Sequence, residues 1–218
     1  MTEIYYTIVS DGTSDRSLIP VLDWLIKHAG FAGTVEGTIV DYRLFKSKNT
    51  GNHLADRILY ALEYFPCDLL LIHRDAEGRS RAERLQEITN ALQVVFPITQ
   101  EIPSVCVVPV RMTEAWLLFS EDAIRYAAGN LSGRIPLALP APDTLEQLPD
   151  PNVVLHNLIK LASGLGARRK QSFMPYRFQH RVTEYMNDFS QLRTLPSFSA
   201  LESDLINVIR NENWVSCS

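Results

Sequence analysis

The hydrophobic positions of the first 130 residues alternate between two patterns. Short runs rich in β-branched and aromatic residues predict strands, and each run precedes a segment whose apolar residues recur every three or four positions, as on one face of a helix. The predicted strands cover 3–10, 37–45, 67–73 and 103–110. Strand–helix units in succession favour an α/β fold with a mostly parallel sheet and helices on both faces.

The individual segments refine this picture. The run 67–73 is apolar without alternation, as in a central strand covered on both faces, and Pro109 indicates a strand end or an edge strand. The predicted helices cover 14–31, 52–65, 80–96 and 113–129. Ser80 is expected to cap the third helix. Thr113 is expected to begin the fourth helix, and Ser120 to interrupt it.

The alternation of strand and helix patterns ends after residue 130. Five prolines between residues 133 and 151 predict a long ordered loop. Three helical patterns follow, over 152–162, 176–186 and 198–211. We therefore expect an α/β domain over 1–130 and a proline-rich loop with a helical C-terminal extension, packed on that domain, over 131–218.

Composition adds a charge asymmetry to an ordinary globular chain. The net charge is −4, yet the segment 160–184 has six basic residues and one acidic residue, which gives +5. A basic patch on an otherwise acidic protein is expected if a polyanion binds to one face of the protein. A surface helix exposed to solvent explains the same charge pattern equally well. The chain shows no membrane-span pattern, no signal-peptide pattern and no paired cysteine spacing, so a cytoplasmic location is expected.

Polar residues cluster after each predicted strand, where parallel sheets bind ligands. Each residue has a structural explanation on its own: Asp15 and Thr113 can cap helices, and Asp11 can form a turn at Gly12. Several carboxylates at one edge, however, repel one another unless a hard cation neutralises them. The residues in question are Asp11, Asp15, Lys46, Lys48, His53, His73, Asp75, Glu77, Arg111 and Glu114.

The segment LLLIHRDAEGR, residues 69–79, resembles the second motif of the Toprim (topoisomerase-primase) domain, in which Asp-x-Asp follows a hydrophobic strand. Asp11-Gly12 resembles the Glu-Gly of its first motif. VPVRMTEAWLL, residues 108–118, looks like a segment of uncharacterised bacterial Toprim-like proteins associated with phage defence. The resemblance covers roughly residues 3–130 and implies a Toprim-like or Rossmann-like sheet.

The resemblance implies metal-dependent cleavage or phosphotransfer at a phosphodiester of a nucleic acid, with Mg²⁺ or Mn²⁺ as cofactor. The implied catalytic residues are Asp11, His73, Asp75 and Arg111, and the implied metal ligands are Asp11, Asp75, Glu77 and Glu114. The residues expected to bind nucleic acid are Lys46, Lys48, Arg168, Arg169, Lys170, Arg177 and Arg181. An operon-encoded ATPase is a possible partner in such a defence system.

Two departures from the motifs leave the mechanism open. Asp11 replaces a glutamate, and His73 replaces the first aspartate of Asp-x-Asp. A neutral imidazole suits Mn²⁺, a transition metal or proton transfer better than it suits Mg²⁺. The site is either a variant active site or a degenerate module that binds a partner or nucleic acid without catalysis. A Rossmann-like nucleotide-binding enzyme is a weaker alternative, because the chain has no glycine-rich phosphate loop.

Overall fold

Four parallel strands form one sheet in the order β2-β1-β3-β4. The computed structural model describes residues 1–10, 13–42, 45 and 53–215, with Thr13 and Ser14 described by their backbone alone. The strands are β1 (Glu3–Val9), β2 (Thr34–Ile39), β3 (Leu69–His73) and β4 (Ser104–Val107). This sheet, with helices on both faces, confirms the predicted α/β class.

The position of each strand in the sheet matches its hydrophobic pattern. β3 is buried along its whole length in the centre, whereas the edge strand β2 alternates between exposed and partly buried residues. The predicted range 37–45 for the second strand is wrong. β2 pairs with β1 from Thr34 to Ile39, and the pairing stops there because β1 itself ends at Val9.

Two hydrophobic clusters hold the layers together. Helix α1 (Leu18–His28) covers one face of the sheet, and helices α2 (His53–Tyr64) and α3 (Arg81–Val95) cover the other. Alternate residues of the central strands point to the two clusters, so that Leu69 and Leu71 pack on the α1 side and Leu70 and Ile72 pack on the α2–α3 side.

Helix α3 begins as the sequence predicts. The Ser80 hydroxyl accepts a hydrogen bond from the backbone N–H of Glu83, and the Glu83 carboxylate accepts one from the backbone N–H of Ser80. This capping box satisfies two backbone groups that a helix start otherwise leaves unpaired. It fixes the point at which the chain leaves the loop after β3 and enters α3.

The C-terminal segments pack on the α1 side of the sheet. They contain α4 (Glu121–Ala127), α5 (Pro151–Ala162), α6 (Ala167–Ser172), α7 (His180–Tyr185) and α8 (Pro196–Asn211). Their apolar side chains, among them Leu155, Val182, Phe198 and Leu205, belong to the same cluster as β1 and α1. No helix in the described ranges has the length and apolar character needed to cross a membrane.

Three helical segments after β4 compare differently with the predictions. The segment 113–129 divides at Ser120 into a 3₁₀ helix (Thr113–Leu117) and α4, as the pattern suggested. The predicted helix 176–186 is too long, since 175–177 form a separate 3₁₀ turn before α7. Helix α6, which carries Arg168, Arg169 and Lys170, was not predicted, because its polar residues show no apolar period.

Candidate active site

The candidate site lies where the carboxyl ends of β1 and β3 meet. These strands are neighbours in the sheet, and the connections from them lead in opposite directions, β1 to β2 on one side and β3 to β4 on the other. Parallel sheets bind ligands in the crevice at such a switch point. A 3₁₀ helix (Thr13–Ser17) follows β1 and carries Asp15, while β3 ends at His73.

His73 forms the centre of a cluster with two carboxylates. Its imidazole is 1% exposed, with Nδ1 3.3 Å from Asp15 Oδ2 and Nε2 3.2 Å from Asp75 Oδ1. The Thr113 hydroxyl lies 2.9 Å from His73 Nε2. The carboxylates are 13% (Asp15) and 21% (Asp75) exposed, so solvent reaches them but not the imidazole.

One oxygen of Asp75 carries most of its protein contacts. Oδ1 accepts hydrogen bonds from the Thr113 backbone N–H at 3.0 Å and from the Thr113 hydroxyl at 3.3 Å, besides its contact with His73. Asp75 Oδ2 and Asp15 Oδ1 accept no hydrogen bond from residues in the described ranges. Among the described residues, each carboxylate therefore has one oxygen that accepts no hydrogen bond.

The prediction that Thr113 caps a helix is wrong. Met112 occupies the position before the 3₁₀ helix, and its side chain makes no capping hydrogen bond. The buried Thr113 side chain instead bridges His73 and Asp75. Its backbone N–H and its hydroxyl both serve the cluster, so Thr113 is a positioning residue for Asp75.

The charge of His73 follows from its surroundings. Burial alone lowers the pKa of an imidazole, but the hydrogen bonds and negative charges of Asp15 and Asp75 outweigh it and raise the pKa of His73 from 6.5 to about 9. The imidazole is therefore protonated at neutral pH. A positive charge lies between the two carboxylates and offsets their mutual repulsion.

The loop that carries Asp75 is held by hydrogen bonds beyond the end of β3. The backbone N–H groups of Arg74, Ala76 and Glu77 donate to the carbonyl oxygens of Val107, Pro109 and Arg111 at 3.0 to 3.2 Å. Glu77 and Arg111 both adopt left-handed backbone conformations, with φ of 49° and 69°. Such a conformation costs on the order of 1 kcal/mol for a residue with a side chain, and it concentrates at functional loops.

The other predicted site residues make different contacts. Glu77 pairs with Arg84 at 3.4 Å, and Glu114 accepts hydrogen bonds from Asn152 at 2.9 Å and Gln179 at 3.3 Å. Arg111 is exposed. The structure thus brings His73 and Asp75 together with Asp15 and Thr113, while the carboxylates of Glu77 and Glu114 bind elsewhere. Asp11, Lys46 and Lys48 lie outside the described residues.

Arg57 is a cation that sequence reasoning missed. From α2 its Nη1 donates to the carbonyl oxygen of Ser10, directly after β1, at 3.1 Å, and its guanidinium lies 4.9 Å from the centre of the Tyr42 ring. This contact brings a positive charge to the carboxyl end of β1. No local sequence pattern predicts this contact of Arg57, because the contact depends on how α2 packs across the sheet.

The donor set suits a hard cation that shares its coordination with a substrate. In the described part of the chain, no three side chains of His, Cys, Asp or Glu are grouped to enclose a metal ion. Mg²⁺, however, is commonly held by one or two carboxylates, with water and substrate phosphate oxygens completing its shell. Asp15 and Asp75, which contact opposite nitrogens of the His73 imidazole, supply carboxylate oxygens of this kind, and Mn²⁺ accepts the same oxygen ligands.

The basic segment, residues 160–184, includes helix α7, which lies near this cluster. Arg168, Arg169 and Arg177 are exposed, and Arg181 lies 4.8 Å above the ring of Tyr126. Helix α7 packs against the 3₁₀ helix that carries Asp15.

No family model matches the chain, and no curated protein or solved structure matches it at a significant level. The Toprim resemblance rests on the motifs quoted above, and the roles it implies stay predictions.

Proposed function

We propose that this protein is a divalent-metal-dependent nuclease that hydrolyses a phosphodiester at the Asp15–His73–Asp75 cluster. One observation carries the proposal. Carboxylates that follow two neighbouring central strands meet at a buried imidazole, at the sheet edge where α/β proteins bind ligands.

The residues of the cluster have separate roles in this proposal. Asp15 and Asp75 would hold Mg²⁺ or Mn²⁺, and the bound ion would polarise the phosphate and lower the pKa of a water molecule. His73 orients both carboxylates and balances their charge, and Thr113 fixes Asp75 through its backbone N–H. The exposed Arg111, on the loop paired with that of Asp75, binds a phosphate oxygen.

The basic segment supports nucleic acid as the substrate. Arginines and lysines contact phosphates without reading sequence, and this segment carries several exposed ones, while its helix α7 packs against the 3₁₀ helix of Asp15. A setting in phage defence and an ATPase partner belong to the proposal through the resemblance alone, and a cytoplasmic location belongs to it through the sequence patterns given above. The same holds for Asp11, Lys46 and Lys48 as site residues.

A specific observation favours a second candidate, a module without catalysis. The protonated His73 neutralises charge between the carboxylates, so the cluster is stable without a metal ion. In that case the basic segment binds nucleic acid or a partner protein, and the cluster serves the fold.

A cleavage assay separates the two candidates. We expect purified protein to cleave single-stranded DNA, double-stranded DNA or RNA in Mg²⁺ or Mn²⁺, and to leave all three intact in EDTA, because the metal supplies the nucleophile. Equal cleavage in EDTA would contradict the proposal. Retardation of a nucleic acid without cleavage in either metal would support the module instead.

A further inference from the structure

A cleft of about 440 Å³ opens beside the proposed site, between the end of β2, the start of α1 and helix α7. Its apolar part consists of Ile19, Pro20 and Ile39. Arg16 and His180 provide its basic groups. Small-molecule sites typically measure roughly 300–1,000 Å³ and combine an apolar floor with a few polar groups at the rim, so this cleft has the size and the lining of such a site.

The cleft and the carboxylate cluster share a wall. Asp15 and Arg16 are consecutive in the 3₁₀ helix, and Asp15 faces His73 while Arg16 lines the cleft. Consecutive Cα atoms are about 3.8 Å apart, so one short helix carries both a residue of the cluster and a residue of the cleft. The cleft therefore lies next to the carboxylate cluster.

Arg16 has the charge to bind a phosphate. Its side chain is exposed, and in the described ranges no acidic residue pairs with it. The acidic residue of the cleft, Glu184, lies 3.8 Å from His180 on the opposite wall. An unpaired guanidinium at a concave surface favours a phosphate, which it contacts through two parallel N–H donors.

The back of the cleft is preformed. The Tyr6 hydroxyl donates to Asp23 Oδ1 at 2.7 Å and lies 3.1 Å from the carbonyl oxygen of Ile19, which fixes the start of α1 against the sheet. Gly37 lies against the Tyr6 ring, where any Cβ atom would be 2.3 Å from the ring. A larger residue at 37 would displace the Tyr6 ring, so only glycine fits here without a shift of that ring.

We propose that this cleft binds one nucleotide unit of a single-stranded nucleic acid, with the base on the floor formed by Ile19, Pro20 and Ile39 and the phosphate on Arg16. This inference rests on the proposed nuclease function and adds its substrate class. A base can enter the cleft only when it is neither paired nor stacked in a duplex, which selects single strands or frayed ends.

Calorimetric titration in EDTA tests the cleft apart from the chemistry. The probes are the four ribonucleoside 5′-monophosphates, ribose 5-phosphate and a short single-stranded oligonucleotide. We expect at least one mononucleotide to bind about tenfold more tightly than ribose 5-phosphate, and the oligonucleotide to bind more tightly still. Arg16→Ala should weaken mononucleotide binding about tenfold.

Two further variants sharpen the test. Arg210→Ala removes an exposed arginine at the end of α8 and should leave binding unchanged, whereas His180→Ala removes the second basic group of the cleft and should weaken it. Absence of mononucleotide binding, or equal binding by wild type and Arg16→Ala, would overturn the inference. Binding of mononucleotides but not of the oligonucleotide would overturn the single-strand assignment. Since the titration contains no metal and scores no cleavage, its failure is distinct from failure of the nuclease proposal.

Discussion

Asp75→Asn is expected to reduce metal-dependent cleavage at least about a hundredfold. Asparagine keeps the size of the side chain, and its Oδ1 can still accept the hydrogen bonds from Thr113. The substitution removes the negative charge that would hold the metal ion, while leaving the loop in place. Initial rates at several Mn²⁺ concentrations, on whichever substrate the wild-type protein cleaves, measure the loss.

A matched control makes this prediction specific. Asp143→Asn introduces the same chemical change at an exposed carboxylate in the 3₁₀ helix Pro142–Gln147 and should retain the wild-type rate. Circular dichroism spectra of the two variants should agree with that of the wild type. If Asp75→Asn retains half of the wild-type rate or more, Asp75 is not a metal ligand in the reaction.

The free energy of unfolding should fall by about 3 kcal/mol as the pH rises from below 6.5 to above 9. The pKa of His73 is about 9 in the folded protein, against an ordinary value of 6.5. The folded state therefore binds this proton more tightly than the unfolded state, and the stabilisation is fully present below pH 6.5 and is lost as the pH rises through 9. Each pKa unit of difference between the folded and the unfolded state corresponds to about 1.4 kcal/mol in the free energy of unfolding.

Urea denaturation at pH values between 6 and 9 measures this loss. That window isolates His73, because burial raises the pKa of Cys67 and Cys106 above their ordinary value of 9.0 and their effects begin near that pH. In His73→Gln, the free energy of unfolding should vary little across the window. A wild-type stability that is constant or rises between pH 6 and 9 would show that His73 is not protonated between its carboxylates.

Local patterns predicted the parts of the fold that depend on local interactions. The buried run of β3 and the Ser80 cap of α3 are fixed by adjacent residues, and both agree with the structure. The limits of β2 depend on where its partner β1 ends. The sequence of β2 alone does not indicate that point. An edge strand is therefore harder to delimit than a central one.

The sequence predicted where the candidate site lies. It predicted fewer of the side-chain contacts within the site. Strand order brings the residues after β1 and β3 together, so the meeting of Asp15 with His73 and Asp75 follows from topology. The partners of Glu114 come from residues 152 and 179, far along the chain, and no spacing rule anticipates them.

Thr113 shows why a capping pattern can mislead. A threonine before an apolar run is typical of a helix start. Its hydroxyl here is instead within reach of His73, at the end of β3, and of Asp75, in the loop that follows, so the tertiary contacts take the place of the cap.

Titration with Mn²⁺, with the free ion followed by electron paramagnetic resonance, tests most directly whether Asp15 and Asp75 form a divalent-cation site. We predict a single Mn²⁺ site in the wild-type protein, weakened at least about tenfold by Asp15→Asn and by Asp75→Asn and unchanged by Asp143→Asn. Absence of Mn²⁺ binding, or binding that survives both substitutions, would contradict a metal site at this cluster.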